Sequence, residues 1–221
     1  MHSKIIPLAM IVGAVLLVGC EGMDPVTSEW TEEGNPLGPA AAPVIETELP
    51  LSGAGIAGSV TLTRSSQGLS ADIEITAGLT TGYAYSIWWA IFDNPQGCDA
   101  NGCDAFDLRN IRQAQGSLVN GGGFVAGGGP VFHQTELTRH DVEGKSVEAG
   151  DPSGVDNTYG AEVHLVVRSH GEAETDPADL MVQTGTFGVF CNLPDPPVVG
   201  GCLNVAASMF TSPAAPGQAG S

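Results

Sequence analysis

Basic side chains are scarce in this chain. Only seven of its 221 residues are lysine or arginine, against 25 aspartates and glutamates, so the formal net charge is −18. A surface this acidic repels the phosphate backbone of DNA and RNA. Nucleic acid is therefore not expected as a partner.

The familiar motifs of nucleotide binding and nucleophilic catalysis are missing as well. The glycine-rich run at residues 121–129 is not followed by the Gly-Lys-Ser/Thr of a phosphate-binding loop. No Gly-x-Ser-x-Gly occurs, and the nearest match, GDPSG at Gly150–Gly154, has the wrong spacing and is typical of a turn. These absences favour a protein that is not an enzyme.

A single long apolar run, Ile5–Val18, follows Lys4 near the amino terminus. A run of about 14 residues is too short to span a bilayer as a helix, whereas a secretory signal has this length and a positive charge before it. The segment ends in Leu-Val-Gly-Cys20, which resembles the lipobox of bacterial lipoproteins. The resemblance implies that residues 1–19 are removed and that Cys20 carries the acyl chains, palmitate among them. The alternative is an ordinary signal that contains a cysteine.

The predicted location is the bacterial cell envelope. In lipoproteins of this kind an aspartate after the cysteine retains the protein at the inner membrane, so Glu21 suggests the outer membrane, facing the periplasm or the exterior. Removal of residues 1–19 removes Lys4 and no acid, so six basic and 25 acidic residues leave a net charge of −19. Because this charge disfavours anionic headgroups, the lipid on Cys20 is the expected membrane contact.

The remaining cysteines are even in number, which outside the cytoplasm indicates two disulfides with three alternative pairings. We favour Cys98–Cys103 and Cys191–Cys202, because each pair closes a short loop that contains glycine or proline. Zinc is the alternative, but C-x4-C and C-x10-C lack the paired short spacings of a structural zinc site.

The charge and proline distribution divides the chain. Residues 20–50 are acidic and proline-rich, with no lysine or arginine, and are expected to form a disordered tether. Residues 51–210 are expected to form one domain, and residues 211–221 a disordered tail. A domain of this size can bury a substantial core.

The domain has a hydrophobic period of two, which is typical of β-strands. Alternation is clear around Val60 and Leu62, at residues 71–77, 83–92 and 161–168, around Phe187 and Val189, and at residues 203–209. Glycine-rich residues 120–130 are typical of strand pieces with bulges. We therefore predict an all-β fold, an antiparallel, Greek-key-like β-sandwich with two local disulfides.

The segment Tyr83–Phe92 is predicted to be the central strand, because both of its faces are largely apolar. Tyr83, Tyr85, Ile87, Trp89 and Ile91 share the face expected to point into the core. The other face carries Trp88 and Phe92, which become ligand-binding candidates if they line an exposed aromatic groove.

A metal site is the first candidate for chemistry. Glu162 and His164 lie on the outward face of one predicted strand and His170 lies at the turn beyond it, and imidazole and carboxylate ligands suit zinc or copper. The two histidines could share an ion only if the chain bent sharply after Arg168, since a straight strand separates them by about 20 Å. A surface histidine and a turn histidine are the alternative. His133 and His140 could supply further nitrogens.

Clusters of acidic side chains are the second candidate, for calcium. One cluster lies on and around the loop closed by Cys98 and Cys103, which we call the cysteine loop, and the other follows the predicted strand that carries His164. Acids and asparagines are, however, also common in turns. Their members are Asp93, Asn94, Asp99, Asn101, Asp104 and Asp107, and Glu172, Glu174, Asp176 and Asp179. A hydrolase built on Glu162 paired with Asp72 or Glu74 is a weaker option.

Two segments carry a resemblance to a family. Gly82–Pro95 (GYAYSIWWAIFDNP), followed by Cys98 and Cys103, and Gly160–Gly171 (GAEVHLVVRSHG) look like an uncharacterised group of secreted bacterial proteins. That group has HAYT-x-WW-x-IFNNP and AEIHLV-x-R-x-HG strands. The layout is more remotely similar to the chordin-like CHRD domain and the superoxide dismutase sandwich, an analogy of fold alone. The resemblance implies a secreted β-domain and no activity.

The chain departs from the group at Tyr83, where the group commonly has histidine. If that histidine belonged to a metal site with His164 and His170, the site here is one ligand short. The expected function is therefore a non-catalytic envelope lipoprotein with a binding or structural role. The alternative is an exported protein that binds zinc or copper, or is oxidoreductase-like, through His164 and His170.

Overall fold

The computed structural model describes seven stretches of the chain, residues 43–53, 55–99, 102–109, 113–140, 142–150, 154–191 and 202–212. The predicted signal, Cys20, most of the tether, Asn101 and the tail beyond residue 212 lie outside the described residues. None of the described helices is long and apolar enough to cross a membrane.

The described chain folds into strands that pair only with antiparallel neighbours. The strands are β1 Ile45–Pro50, β2 Ser52–Gly53, β3 Ala57–Ser65, β4 Gly68–Ala77, β5 Tyr83–Phe92, β6 Gly116–Val125, β7 Val131–Thr138, β8 Val147–Gly150, β9 Glu162–Glu172 and β10 Leu203–Phe210. One α-helix, α1 Pro177–Gly185, and two short 3-10 helices, Pro95–Gly97 and Asp107–Arg109, accompany them.

The strands form two sheets, and the predicted β-sandwich is confirmed. Sheet one has the order β1-β3-β4-β7, and sheet two has the order β2-β10-β9-β5-β6-β8. The chain passes repeatedly from one sheet to the other, as expected of a Greek-key-like arrangement. The hairpin between β3 and β4 turns at Ser65–Gly68, where the sequence predicts it.

The main core lies between the sheets. Its sheet-two side includes Tyr85, Ile87, Trp89 and Ile91, the face of β5 that the alternation predicts. Full burial of each such side chain contributes about 1.5–3 kcal/mol. The Trp89 Nε1–H donates to Thr135 Oγ1 at 3.1 Å, a hydrogen bond that joins the two sheets through the core.

A third layer covers the outer face of sheet two. There Trp88, Ala90 and Phe92 of β5 pack beneath the cysteine loop and Phe187. Both faces of β5 are consequently buried along all but its first residue. This confirms that the central strand is covered on both sides.

The predicted tether boundary at residue 50 is wrong, because Ile45–Pro50 forms β1 at the edge of sheet one. The strand pairs with β3 in continuous register, and Leu49 packs against the core. Its composition resembles a tether because an edge strand exposes one face, here with Glu46 and Glu48.

The strand predicted around Phe187 and Val189 is also wrong. The segment before them is α1, and residues 186–191, the described residues that follow it, form no strand. Asp176 caps the helix by accepting hydrogen bonds from the Ala178 and Asp179 backbone N–H groups. An aspartate cap followed by proline is a typical helix start.

Candidate functional site

The predicted site residues of β9 all lie on the outer face of sheet two. Alternation along the strand places Glu162, His164, Arg168 and His170 on this side, away from the inward Val163, Leu165 and Val167. The two histidines lie six residues apart on one strand, or about 20 Å at the usual rise. The strand has only a local bulge, opposite Ala84 and Tyr85. A single metal ion shared by His164 and His170 is therefore excluded, and that prediction is wrong.

The other two histidines of the described residues, His133 and His140, have partners elsewhere. His133 Nε2 lies 2.9 Å from the Gly121 carbonyl oxygen and so donates to it. His140 Nδ1 lies 2.7 Å from Asp156 Oδ1 on an exposed surface. Both therefore have local structural partners.

His164 forms a hydrogen bond with Glu162 at the amino-terminal end of β9. The distance from His164 Nε2 to Glu162 Oε1 is 2.7 Å, and the carboxylate can only accept, so Nε2 carries the proton. Glu162 Oε1 also accepts from the Cys103 backbone N–H at 3.2 Å. The bond to Cys103 ties the cysteine loop to the strand, so the loop and the pair hold each other in place.

This pair borders an apolar cavity of about 380 Å³, which we call the outer cleft. Phe92, His164 and Val166 form its floor, and the cysteine loop and β10 form its walls. The complete lining is Ser52, Gly53, Ala90, Phe92, Cys103, Asp104, Ala105, Leu108, Leu118, His164, Val166, Phe187, Asn204, Val205, Ala206, Ala207 and Met209. A mostly apolar cavity of this size with a few polar groups is typical of a small-molecule site.

A larger cavity, of about 580 Å³, lies on the side of β4 and β7 and is lined mainly by polar and glycine residues, among them Asp72, Gln134 and Lys145. A polar depression of this kind buries little of a ligand's apolar surface. The outer cleft is therefore the better candidate, although it is smaller.

The aromatic groove predicted around Trp88 and Phe92 is not exposed. Both side chains have 0% exposure. Trp88 packs edge-on against Phe187 at 5.2 Å, and Phe92 lies 5.3 Å from the His164 ring. The version of the ligand hypothesis that needs exposed rings is wrong, and Phe92 contributes only to the floor of the outer cleft.

The opposite end of the outer face holds a second cluster, around His170. Its imidazole is fully buried, with Nε2 2.7 Å from Ser86 Oγ and Nδ1 3.2 Å from Cys202 Sγ. The Trp88 indole N–H donates to the same Ser86 oxygen at 2.7 Å. Indole can only donate, so the Ser86 oxygen accepts from Trp88, and the hydrogen bond of the His170 ring to the Val189 carbonyl places the ring proton on Nδ1, so that Ser86 donates to Nε2.

This arrangement determines the protonation of His170. With Nε2 accepting, the neutral ring carries its proton on Nδ1, which faces the Val189 carbonyl and Cys202 Sγ. Burial, and then the positive charge of Arg168, lower the pKa of His170 to about 4, against a smaller opposing effect of the Val189 hydrogen bond. The ring is therefore neutral at neutral pH.

Arg168 separates the two clusters. Its guanidinium stacks on the Phe187 ring at 3.8 Å and donates to the Phe187 carbonyl and to Asn204. Burial lowers the pKa of Arg168 to about 10, so it stays charged at neutral pH. It holds Phe187 over Trp88 and so closes the third layer between the outer cleft and His170.

Both disulfides pair as predicted, Cys98 with Cys103 and Cys191 with Cys202. Within the described chain, His170, Cys191 and Cys202 are the one group of three His, Cys, Asp or Glu residues with ligand atoms all within 4.8 Å of one another. Sequence spacing missed this group, because it joins positions 32 residues apart and includes two cysteines already assigned to a disulfide.

The predicted calcium clusters do not converge among the described residues. Asp93 Oδ1 accepts from the backbone N–H groups of Asp156 and Asn157, and Asp104 and Asp107 accept from N–H groups within their own loop. Asp176 caps α1. These acids serve the turns, which was the alternative interpretation.

The predicted carboxylate pair is likewise absent. Asp72 and Glu74 lie on the solvent face of sheet one, where Asp72 accepts from Gln134. Glu162 lies on the outer face of sheet two, on the other side of the sandwich.

No protein-family model, curated protein or solved structure matches this chain.

Proposed function

We propose that the protein is a lipid-anchored, non-catalytic protein of the bacterial cell envelope that binds a small molecule with a largely apolar body in the outer cleft. The observation that carries the binding role is the 380 Å³ cavity with the Glu162–His164 pair at its edge. The lipobox ending at Cys20 supports the anchor, and the two disulfides suit an oxidising compartment.

The expected ligand has an apolar body and one positively charged group. The floor and walls of the cleft are largely apolar, and its lining includes the acid Asp104. Of the charged residues that contact the lining, Glu162 is an acid beside His164, and Arg168 is a base beside Phe187 and Asn204. The lining contains no lysine or arginine, and the whole chain carries a charge of −18. An organic ammonium is attracted to this site and an organic carboxylate is repelled.

Calorimetric titration with a matched set of aromatic probes tests the ligand class. We expect naphthylmethylammonium to bind more tightly than neutral naphthylmethanol, and naphthylacetate to bind most weakly. Glu162→Gln keeps the shape and hydrogen-bonding oxygen of the side chain but removes its charge. We expect it to weaken ammonium binding about fivefold to tenfold, in line with about 1–1.4 kcal/mol for a partly exposed charge pair.

Glu46→Gln is the control, because it removes the same charge from an exposed position on sheet one. It should leave the affinity for all three probes unchanged. Equal losses of ammonium affinity in Glu46→Gln and Glu162→Gln would show that net charge causes the effect. That result would contradict a ligand site beside Glu162.

Intact mass measurement of the protein purified from membranes tests the anchor. The proposal predicts a chain that begins at Cys20 and carries acyl chains on that residue. A Cys20→Ser variant should lose the added mass and its partition into detergent. A mature protein cut elsewhere, or one with an unmodified Cys20, would contradict the anchor.

A further inference from the structure

We propose that reduction of the Cys191–Cys202 disulfide converts its surroundings into a copper(I) site, with His170, Cys191 and Cys202 as the three ligands. This site is separate from the outer cleft and differs from the His164–His170 site predicted from sequence. Two soft thiolates and one imidazole are a donor set that suits copper(I).

The geometry needs little rearrangement. The three ligand atoms lie within 4.8 Å of one another, and His170 Nδ1 is 3.2 Å from Cys202 Sγ. Metal–sulfur bonds of about 2.3 Å and metal–nitrogen bonds of about 2.0 Å place ligand atoms roughly 3.5–4 Å apart. After the S–S bond breaks, the two sulfur atoms therefore need to move apart by about 2 Å to bind the metal, while the imidazole stays almost in place.

Ser86 already provides the support that a metal-bound histidine requires. Ligating histidines usually donate their second ring N–H to a hydrogen-bond acceptor, which fixes the ring orientation. When Nδ1 binds the metal, the ring proton moves to Nε2, which then donates to Ser86 Oγ at the present 2.7 Å. The second Ser86 lone pair continues to accept from Trp88.

The neighbouring groups favour three ligands over four. Structural zinc sites are almost always closed by four protein ligands. In the described chain only His170, Cys191 and Cys202 come together, and the nearby Val189 carbonyl oxygen lies 3.8 and 3.9 Å from the two sulfurs. Copper(I) is stable with three ligands, so it fits the group better than zinc does.

The conversion is a thiol–disulfide exchange followed by metal binding. The thiolate of a dithiol reductant attacks Cys191 Sγ, the more exposed of the two sulfurs, and the Cys191–Cys202 bond breaks. Cys202 leaves as a thiolate beside the His170 Nδ1–H. The second reductant thiol then releases Cys191, so two electrons reduce the protein and the reductant becomes a disulfide. Copper(I) displaces the remaining thiol protons.

The experiment is a copper(I) competition titration of the full chain in detergent, without oxygen. A chromophoric copper(I) chelator competes with the oxidised protein and with protein reduced by a phosphine. The reduced protein is expected to take one copper(I) per chain, and the oxidised protein none. X-ray absorption of the copper-bound form should show two sulfur ligands and one nitrogen ligand.

Matched double variants distinguish the two disulfides. Cys98→Ser with Cys103→Ser is expected to retain one copper(I) after reduction, whereas Cys191→Ser with Cys202→Ser loses at least a hundredfold in affinity. His170→Gln should lose at least tenfold. A second measurement needs no variant and so does not depend on how well the variants fold. Copper(I) should raise the unfolding temperature of the reduced wild-type protein.

Three results would overturn the proposal. They are copper(I) binding by the oxidised protein, equal affinities in the two double variants, and uptake of zinc in place of copper(I) by the reduced wild type.

Discussion

Buried polar side chains connect the parts of this fold. Arg64 donates to the carbonyls of Thr158 and Phe210, and Gln183 donates to the carbonyls of Glu172 and Phe190. Among the described residues every buried side-chain nitrogen or oxygen has a hydrogen-bond partner. An unpaired buried polar group costs about 1–3 kcal/mol, so a local conformation that breaks one of these hydrogen bonds is less stable than the observed one by about that amount.

The buried His170 leads us to predict a pH dependence of the protein's stability. Its folded pKa of about 4 lies below the usual 6.5, owing to burial and the charge of Arg168. Between these pH values the unfolded chain binds a proton that the folded protein does not. The stability that neutral His170 provides is therefore fully present above about pH 6.5 and is lost as the pH falls towards 4, up to about 3 kcal/mol.

Chemical denaturation from pH 4 to 7 measures this effect. The free energy of unfolding of wild type should fall more steeply below pH 6.5 than that of His170→Gln, which cannot take up the proton. The two curves should run parallel above pH 6.5. Parallel curves over the whole range would show that His170 titrates normally in the folded protein.

At the scale of elements, the glycines of β6 allow α1 to pack on sheet two. An added Cβ at Gly123 would lie 2.5 Å from Thr184 Cβ of α1 and 2.8 Å from the Tyr85 carbonyl oxygen. The helix is also attached to this strand by a hydrogen bond from Asn120 to the Thr184 carbonyl at 3.0 Å. Gly123 therefore allows the close packing of the helix on this strand.

Gly123→Ala should consequently destabilise the protein by about 1–3 kcal/mol, the usual cost of overpacking. Gly127→Ala is the control, because an added Cβ there meets nothing within 4 Å and its φ is not positive. Thermal unfolding of both variants checks this. Similar melting temperatures for the two variants would show that α1 does not need the small residue.

The regular elements could be predicted where their sequence shows a clear period. β4 and the first part of β9 alternate because one face of each packs into the core, and β5 is apolar on both faces because both are covered. β1 could not be distinguished from a tether, since an edge strand exposes most of its side chains. α1 exposes most of its residues too and is recognisable mainly from its Asp176 cap, whereas from the sequence Asp176 is predicted as part of an acidic calcium cluster.

At the scale of the whole molecule, the third layer determines where a site can form. The sequence predicts the outward orientation of His164, because it follows from alternation within one strand, but it predicts a turn at His170, which lies within β9. It could not predict the outer cleft, which exists only because the cysteine loop folds back over β5 and is held by the bond from Cys103 to Glu162. It could not predict the partner of His170 either, since Ser86 lies 84 residues away.

The location of ligand binding tests the central proposal most directly. Nuclear magnetic resonance of the ¹³C-methyl-labelled protein, titrated with naphthylmethylammonium, locates the probe. We predict chemical-shift changes at Ala90, Leu118, Val166, Ala207 and Met209, which line the outer cleft. Changes confined to the cavity beside β4 and β7, or no changes at saturating probe concentration, would contradict the assignment of a ligand site to the outer face of sheet two.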